Sequence, residues 1–408
     1  MKRVVVTGMS AITALGNDWQ GFEQALRLER NAVKLMPDWQ RVGELATKLA
    51  APVEFSRPAH FQRKKIRAMG RVSLMATAAT EQALQQAGLL GDAVLSDGST
   101  GIAYGSSTGS TSAIPAFGNL LSCGDMSGVT ATSYLQMMAH TTAVNLAVYY
   151  AAKGRVITTS SACTSASQGI GYAFEAIKYG KQKVMIAGGA EELCVSEAAV
   201  FDTLYATSTR NDSPELTPRP YDAQRDGLVI GEGAGTLILE ELEHAKARGA
   251  SIYAELVGFG TNSDGLHVTQ PTSETMCRAM QLALDDAGID GAQIGYVNGH
   301  GTATEAGDIA ESVATLQALG RAVPISSLKS YLGHTLGACG GIEAWASIQM
   351  MNKGWFAPTI NLDNIDPRCA ELDYIRQGGR NIDVEWVMSN NFAFGGINTS
   401  LIFRRWAN

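Results

Sequence analysis

Between Val156 and Gly180 a β-branched run, Val156-Ile157-Thr158-Thr159, gives way to apolar positions at helical spacing: Ala166, Ile170, Ala173, Phe174 and Ile177. The pattern predicts a buried strand, a turn and a helix that stops at Gly180. Upstream, it predicts a strand over Lys2–Thr7, an irregular polar surface over residues 18–60 after one helical stretch, and an amphipathic helix over Met69–Gly88. A strand over Thr100–Tyr104, a long helix over Tyr134–Lys153 and a strand over Val184–Ala187 follow. From Ser251 the alternation begins again, with strands at Ile252–Phe259, Tyr296-Val297 and Pro324–Ser326 and helices at Ser273–Gly288 and Ile309–Leu319. Such alternation predicts an α/β architecture of parallel or mixed sheets covered by helices, with functional sites at strand ends. The restart divides the chain into residues 1–250 and 251–408, although no residue-level repeat accompanies it.

Composition narrows the class. Only 17% of the 408 residues are charged while 45% are hydrophobic, which fits a large core and extensive subunit contacts. The net charge of −7 argues against nucleic acid as a partner. No run reaches the roughly 18 apolar residues of a membrane span, and MKRVVVTGMSAITALG lacks the apolar stretch and cleavage site of a signal peptide. The six cysteines lie far apart without paired spacing, so free thiols in a reducing cytoplasm are expected. One basic cluster, Arg63, Lys64, Lys65 and Arg67, reads as a solvated helix face unless a strongly acidic partner uses it.

Candidate chemistry sits at three loops. Cys163 falls at the predicted strand-to-helix elbow, where the helix dipole and free N–H groups of a first turn favour a thiolate if the sulfur is partly exposed. His300 lies in Asn298-Gly299-His300-Gly301-Thr302-Ala303-Thr304, and His334 in Lys329-Ser330-Tyr331-Leu332-Gly333-His334-Thr335-Leu336-Gly337. Glycine beside each histidine lets a substrate approach the backbone. One cysteine and two histidines fit either a zinc site, for which short-spaced ligand pairs and a fourth ligand are missing, or cysteine–histidine covalent chemistry. Glycine-rich GSSTGSTS lacks the lysine of a phosphate loop and reads as a turn.

The motifs VVVTGMSAITALG, SSACTSA, RPYDAQRDGLVIGEGAG, NGHGTATEAGD, KSYLGHTLGACGGIEA and NNFAFGGIN, in this order over nearly the whole chain, resemble those of the β-ketoacyl-acyl-carrier-protein synthases. These are the elongating condensing enzymes of type II fatty-acid and polyketide pathways, within the thiolase-like superfamily. The resemblance implies a layered αβαβα fold of two similar halves, the first carrying the nucleophile and the second both histidines. It implies that Cys163 is acylated from a carrier-bound thioester, that His300 and His334 stabilise the enolate formed when malonyl-carrier loses carbon dioxide, and that Lys329 and Glu343 orient the histidine network. The backbone N–H groups of Cys163 and Phe394 would hold the tetrahedral oxyanion, with Phe394, Gly395 and Gly396 forming a mobile gate. Thr302 and Thr304 match pantetheine contacts, and Thr108 stands where the family tunes the depth of its acyl pocket. No metal or prosthetic cofactor is implied; substrates ride on the phosphopantetheine of an acyl carrier protein.

Lys64, Arg67 and Arg210 fall near the family's positive docking patch for that acidic carrier, although Ala68 occupies a position where lysine is common. Other departures are Glu305 for a usual proline, Thr164 for a common alanine, and Ala393 and Ile397 beside the gate. A degradative thiolase would need a second cysteine in the C-terminal glycine motif, and NNFAFGGIN has none. A non-catalytic chain-length factor would lack the nucleophile. Still open are fatty-acid against polyene or polyketide elongation, and a homodimer against the catalytic half of a heterodimer with a chain-length-factor-like paralogue in a specialised polyene pathway.

Overall fold

The structure, a computed structural model, describes residues 1–407. Eleven strands form its main sheet: β1 Val4–Ile12, β2 Thr100–Gly105, β3 Val156–Thr159, β4 Val184–Glu191, β5 Gly233–Glu241, β6 Ala254–Ser263, β7 Tyr296–Asn298, β8 Pro324–Ser326, β9 Asp373–Tyr374, β10 Trp386–Ala393 and β11 Ile397–Arg405. Their order across the sheet is β9-β8-β7-β10-β11-β6-β1-β5-β4-β2-β3. Strands from residues 4–241 thus fill one side and strands from residues 254–405 the other, joined where Val4–Val6 pairs antiparallel with Ala254–Leu256. Every residue of β1 is buried, the small polar Thr7 and Ser10 included, as expected for a strand covered on both faces.

Six helices complete the layers: α1 Arg71–Gln86, α2 Thr141–Tyr150, α3 Ser165–Lys178, α4 Ser273–Ala287, α5 Glu305–Leu319 and α6 Cys339–Lys353. The first two cover the outer face of β1, β2, β4 and β5, while α4 lies on β6 and β11 and carries α5 beside it. Between the two sheet regions run α3 and α6, touching each other and strands of both, so the stack reads αβαβα, the thiolase-like fold. Twelve of the fifteen residues of α6 are buried, which explains the small residues at its start. A Cβ on Gly235 of β5 would lie 2.3 Å from the Gly341 carbonyl carbon, so strand and helix meet backbone to backbone there.

Three expectations are corrected. The Val156–Thr159 run is the outermost strand rather than a buried one; Val156 is 41% exposed and only Thr159 is buried, because β propensity does not distinguish an edge from a centre. The long helix expected over Tyr134–Lys153 is broken into Ser133–Met137 and α2. Met138 turns extended, and the Thr141 hydroxyl donates to the Leu135 and Met138 carbonyls at 2.5 and 2.6 Å, capturing acceptors a continuous helix would use. Residues 18–60 are not simply surface: Leu49–Ala51 is a buried strand beside Ile230-Gly231, and Ile230 bridges to His334. That small sheet supports one of the histidine loops from behind.

Candidate active site

The strand–turn–helix elbow predicted around Cys163 is present, with its sulfur more buried than expected. A 3₁₀ turn, Ala162–Thr164, links β3 to α3, and Ala162 takes a left-handed φ of +50°. Ala303 (+64°) and Leu336 (+47°) do the same beside the two histidine loops. Non-glycine residues at such angles are strained, and here each lies within three residues of a candidate side chain. The difference is burial. Cys163 is only 5% exposed, and burial pushes its thiol up from 9.0 to about 11, opposed by the charge of Lys329 and by the backbone N–H groups of Phe394 and Cys163 itself. The helix N-terminus alone therefore does not make a thiolate in the closed, substrate-free site.

Cys163, His300 and His334 each place a ligand-type atom within 4.8 Å of the others. His334 Nε2 lies 2.9 Å from Cys163 Sγ, while its Nδ1 accepts the Leu336 N–H at 3.3 Å. On His300, Nδ1 accepts from Lys329 Nζ at 3.1 Å and from the Asn391 amide at 3.4 Å. A donor on Nδ1 leaves the ring proton on Nε2, so both imidazoles are Nε2–H tautomers. The two rings stand at 88° with centroids 5.1 Å apart. Burial, then the nearby Lys329 ammonium, holds both well below the usual 6.5, with His334 adding to the effect on His300. Both are neutral donors.

Beneath them Lys329 Nζ bonds Glu343 Oε1 at 2.5 Å, with both side chains nearly inaccessible. Burial is the largest single influence on Lys329 and opposes its charge, but Glu343, Cys339 and Glu311 together outweigh it and keep the ammonium. Asn391 and Asn298 donate to Glu343 Oε2 at 2.7 and 3.3 Å.

Several residues that fix this geometry were not singled out in the sequence. Glu311 accepts the His300 and Gly301 N–H groups at 2.5 and 2.7 Å, and burial raises it to about 7. Asp308, one turn earlier on α5, accepts the Ala303 and Tyr221 N–H groups at 3.1 and 2.7 Å. Carboxylates three residues apart in the first turns of a helix after NGHGTAT were the available signal. Glu191 takes the N–H groups of Ser107 and Gly337 at 2.7 and 3.1 Å, tying GSSTGSTS to the His334 loop; that glycine-rich stretch is a turn wrapped on a carboxylate. Asn391 lay in a quoted motif without a role.

A cavity of about 400 Å³ opens onto Cys163, His300 and His334 and is also lined by Phe394, Thr302 and Thr304, whose hydroxyls are 2.9 Å apart. Phe394 packs against Phe201 with centroids 5.0 Å apart and the rings tilted by 37°. Gly395 and Gly396 hold φ of +87° and +70°, and a Cβ on Gly396 would strike Asp264 at 2.6 Å. Thr108 is not in this lining; its hydroxyl meets Glu191 and Glu197 at 3.0 and 2.6 Å. Lys64 and Arg67 are exposed and without a salt-bridge partner among the described residues, whereas Arg210 is paired with Asp226 at 3.3 Å. Arg210 is therefore not a free docking charge.

Comparison with known proteins agrees with this geometry. Residues 1–245 match the family model "Beta-ketoacyl synthase, N-terminal domain", and residues 253–363 match "Beta-ketoacyl synthase, C-terminal domain". The chain is 37% identical over 414 residues to 3-oxoacyl-[acyl-carrier-protein] synthase 1 of Haemophilus influenzae, covering all of both chains. A crystal structure of a β-ketoacyl synthase from Burkholderia phymatum superposes with a TM-score of 0.99 at 63% identity over the full length of both. The ishigamide ketosynthase/chain length factor superposes at 0.91 with 30% identity, again over the full length of both. With its cysteine and two histidines at one cavity, the chain belongs to the β-ketoacyl synthase family and is an acyltransferase of the ketosynthase kind.

Proposed function

We propose that the protein carries out decarboxylative condensation of malonyl-acyl-carrier protein with an acyl chain held on Cys163. The observation that carries this reading is the pair of neutral Nε2–H imidazoles at the nucleophile. Cys163 sulfur attacks the acyl thioester; the thiol proton passes to the departing carrier sulfur, and an acyl-cysteine remains. The N–H groups of Cys163 and Phe394, both directed at the sulfur, are suited to the oxyanion of this step. Malonyl-carrier then enters past Phe394, with Thr302 and Thr304 along its pantetheine.

As carbon dioxide leaves, negative charge moves to the thioester oxygen, where the imidazoles of His300 and His334 donate. Donors fixed in a dry site are worth roughly 3 kcal/mol each. The carbanion attacks the acyl carbonyl, and the charge brought in by the malonyl carboxylate ends on the Cys163 sulfur. The product is a β-ketoacyl-carrier two carbons longer. Lys329 and Glu343 act as positioning residues, one holding the His300 tautomer and the other holding the lysine. Thr108, outside the lining of the described cavity and bonded to Glu191 and Glu197, is assigned to acyl-pocket depth, and the two halves 1–250 and 251–408 meet at this centre.

We further read the working unit as a homodimer acting in fatty-acid elongation. Strand β3 leaves one edge unpaired, and the helix Ile114–Cys123 has no buried residue. Leu121 (87% exposed) and Val148 (72%) are further apolar side chains left uncovered. The alternative is a heterodimer with a chain-length-factor-like paralogue in polyene or polyketide synthesis; it draws on the similarity to the ishigamide ketosynthase/chain length factor. Six free cysteines support a reducing, cytoplasmic setting.

Cys163→Ala should abolish the acyl adduct seen by intact mass after incubation with acyl-carrier, and His300→Ala or His334→Ala should lower malonyl-carrier decarboxylation by about 10²-fold or more. An adduct in the first variant, or normal decarboxylation in both histidine variants, contradicts the mechanism. Alkylation of the substrate-free enzyme by iodoacetamide should still accelerate above pH 9, since a thiol held at about 11 gains thiolate only as the pH approaches that value. A plateau near neutrality would mean that the sulfur is already ionised. Sedimentation of the chain expressed alone should give twice 43.2 kDa; a monomer that assembles only with a co-expressed paralogue would favour the heterodimer.

A further inference from the structure

One buried carboxyl near the nucleophile has no part in the chemistry of Cys163. Glu197 is 5% exposed, and among the described residues no cation pairs with it or with its neighbour Glu191. The Thr108 hydroxyl lies 3.0 Å from Glu191 and 2.6 Å from Glu197. A hydroxyl has one proton, so it donates to only one of the two carboxyls. Glu191 also accepts the Ser106 hydroxyl, the Ser107 N–H and hydroxyl, and the Gly337 N–H, a set of donors that needs the ionised form. Thr108 therefore donates to Glu191 and accepts from Glu197, whose carboxyl keeps its proton. Burial, then the charge of Glu191, raises Glu197 to about 9, in keeping with this arrangement. The other oxygen of Glu197 accepts the Cys194 N–H at 3.1 Å and caps the helix Val195–Asp202. Capping occupies that oxygen alone and leaves the contact with Thr108 unexplained.

Two contacts tie this acid–hydroxyl pair to the surroundings of Cys163. Phe201, four residues after Glu197 and so on the same helix face, lines the cavity at the nucleophile. The Ser107 carbonyl, beside Thr108, accepts the Ser160 hydroxyl at 3.4 Å, three residues before Cys163. Thr108 is itself exposed, so a ligand can reach it. With the one proton of each group already donated, Glu197 and Thr108 have spare oxygen lone pairs and no spare donor.

We infer that Glu197, acting with Thr108, is a specificity-determining residue that selects acyl groups ending in a hydroxyl over plain alkyl chains of the same length. The inference rests on the reading that Cys163 is acylated from a carrier and that Thr108 bounds the acyl pocket. A methyl end placed against the pair would cover its oxygens and offer them nothing, whereas a hydroxyl supplies the missing donor. Sites built around such a bond reject the analogue that lacks it far more strongly than a hydrocarbon pocket rejects one methylene.

The test is acylation of the full-length enzyme by acyl carrier protein loaded with chains from butanoyl to decanoyl, each paired with its ω-hydroxy counterpart and read by intact mass over time. At the chain length that reaches the pair, the parent should favour the hydroxylated partner by about tenfold or more in kcat/KM. The ratio is taken within each variant, so a general loss of activity cancels. Glu197→Leu and Thr108→Val should each bring it close to one, with the plain chain gaining in Glu197→Leu. Glu197→Gln should keep the preference, because its amide is uncharged and still donates to Thr108. No preference in the parent at any length, a preference that survives both Glu197→Leu and Thr108→Val, or its loss in Glu197→Gln would overturn the inference while leaving condensation at Cys163 intact. If no carrier-bound chain acylates Cys163 in the parent, the underlying reading of function falls, and this inference with it.

Discussion

The active site depends on one buried ion pair. Lys329 and Glu343 lie 2.5 Å apart with almost no access to solvent, and both asparagine amides nearby point at Glu343. Taking two charges out of water costs several kcal/mol each, so such a pair is poor evidence for stability. Its effect here is on His300. An ammonium against Nδ1 forbids imidazolium and puts the remaining ring proton on Nε2, where a developing oxyanion can be met. His334 reaches the same tautomer by another route, through a backbone N–H, so the two donors have independent supports.

The loops around this pair are held by buried carboxylates in addition to the small sheet behind His334. Glu311 and Asp308 gather the N–H groups of the His300 loop, and Glu191 gathers those of Ser107 and Gly337. Left-handed Ala303 and Leu336 lie within the loops so restrained. Helices α3 and α6, packed between the two sheet regions, bring Cys163 and the His334 loop together from opposite parts of the chain.

Much of this was legible in the residues. The strand–turn–helix pattern around Cys163 and the glycine-flanked histidines marked three side chains that the fold brings to one cavity. Burial was not legible: Val156–Thr159 has the composition of a core strand but lies at an edge, and Cys163 has the helix N-terminus of a reactive thiol but a buried sulfur. Both depend on which elements cover them, which is tertiary information. The break before α2 turned on one threonine hydroxyl competing for helix carbonyls. Arg210 is basic in the sequence and neutralised in the fold, since its partner Asp226 lies 16 positions away across a turn.

The central claim is that both histidines are neutral Nε2–H donors before any substrate binds. Nitrogen-15 NMR of histidine-labelled enzyme reads it directly, because protonated and unprotonated ring nitrogens differ widely in shift. His300 and His334 should each show an unprotonated Nδ1 and a protonated Nε2, unchanged from about pH 8 down to about pH 6, since burial and Lys329 hold both below 6.5. An imidazolium, or an Nδ1–H tautomer, at either residue within that range would contradict the account.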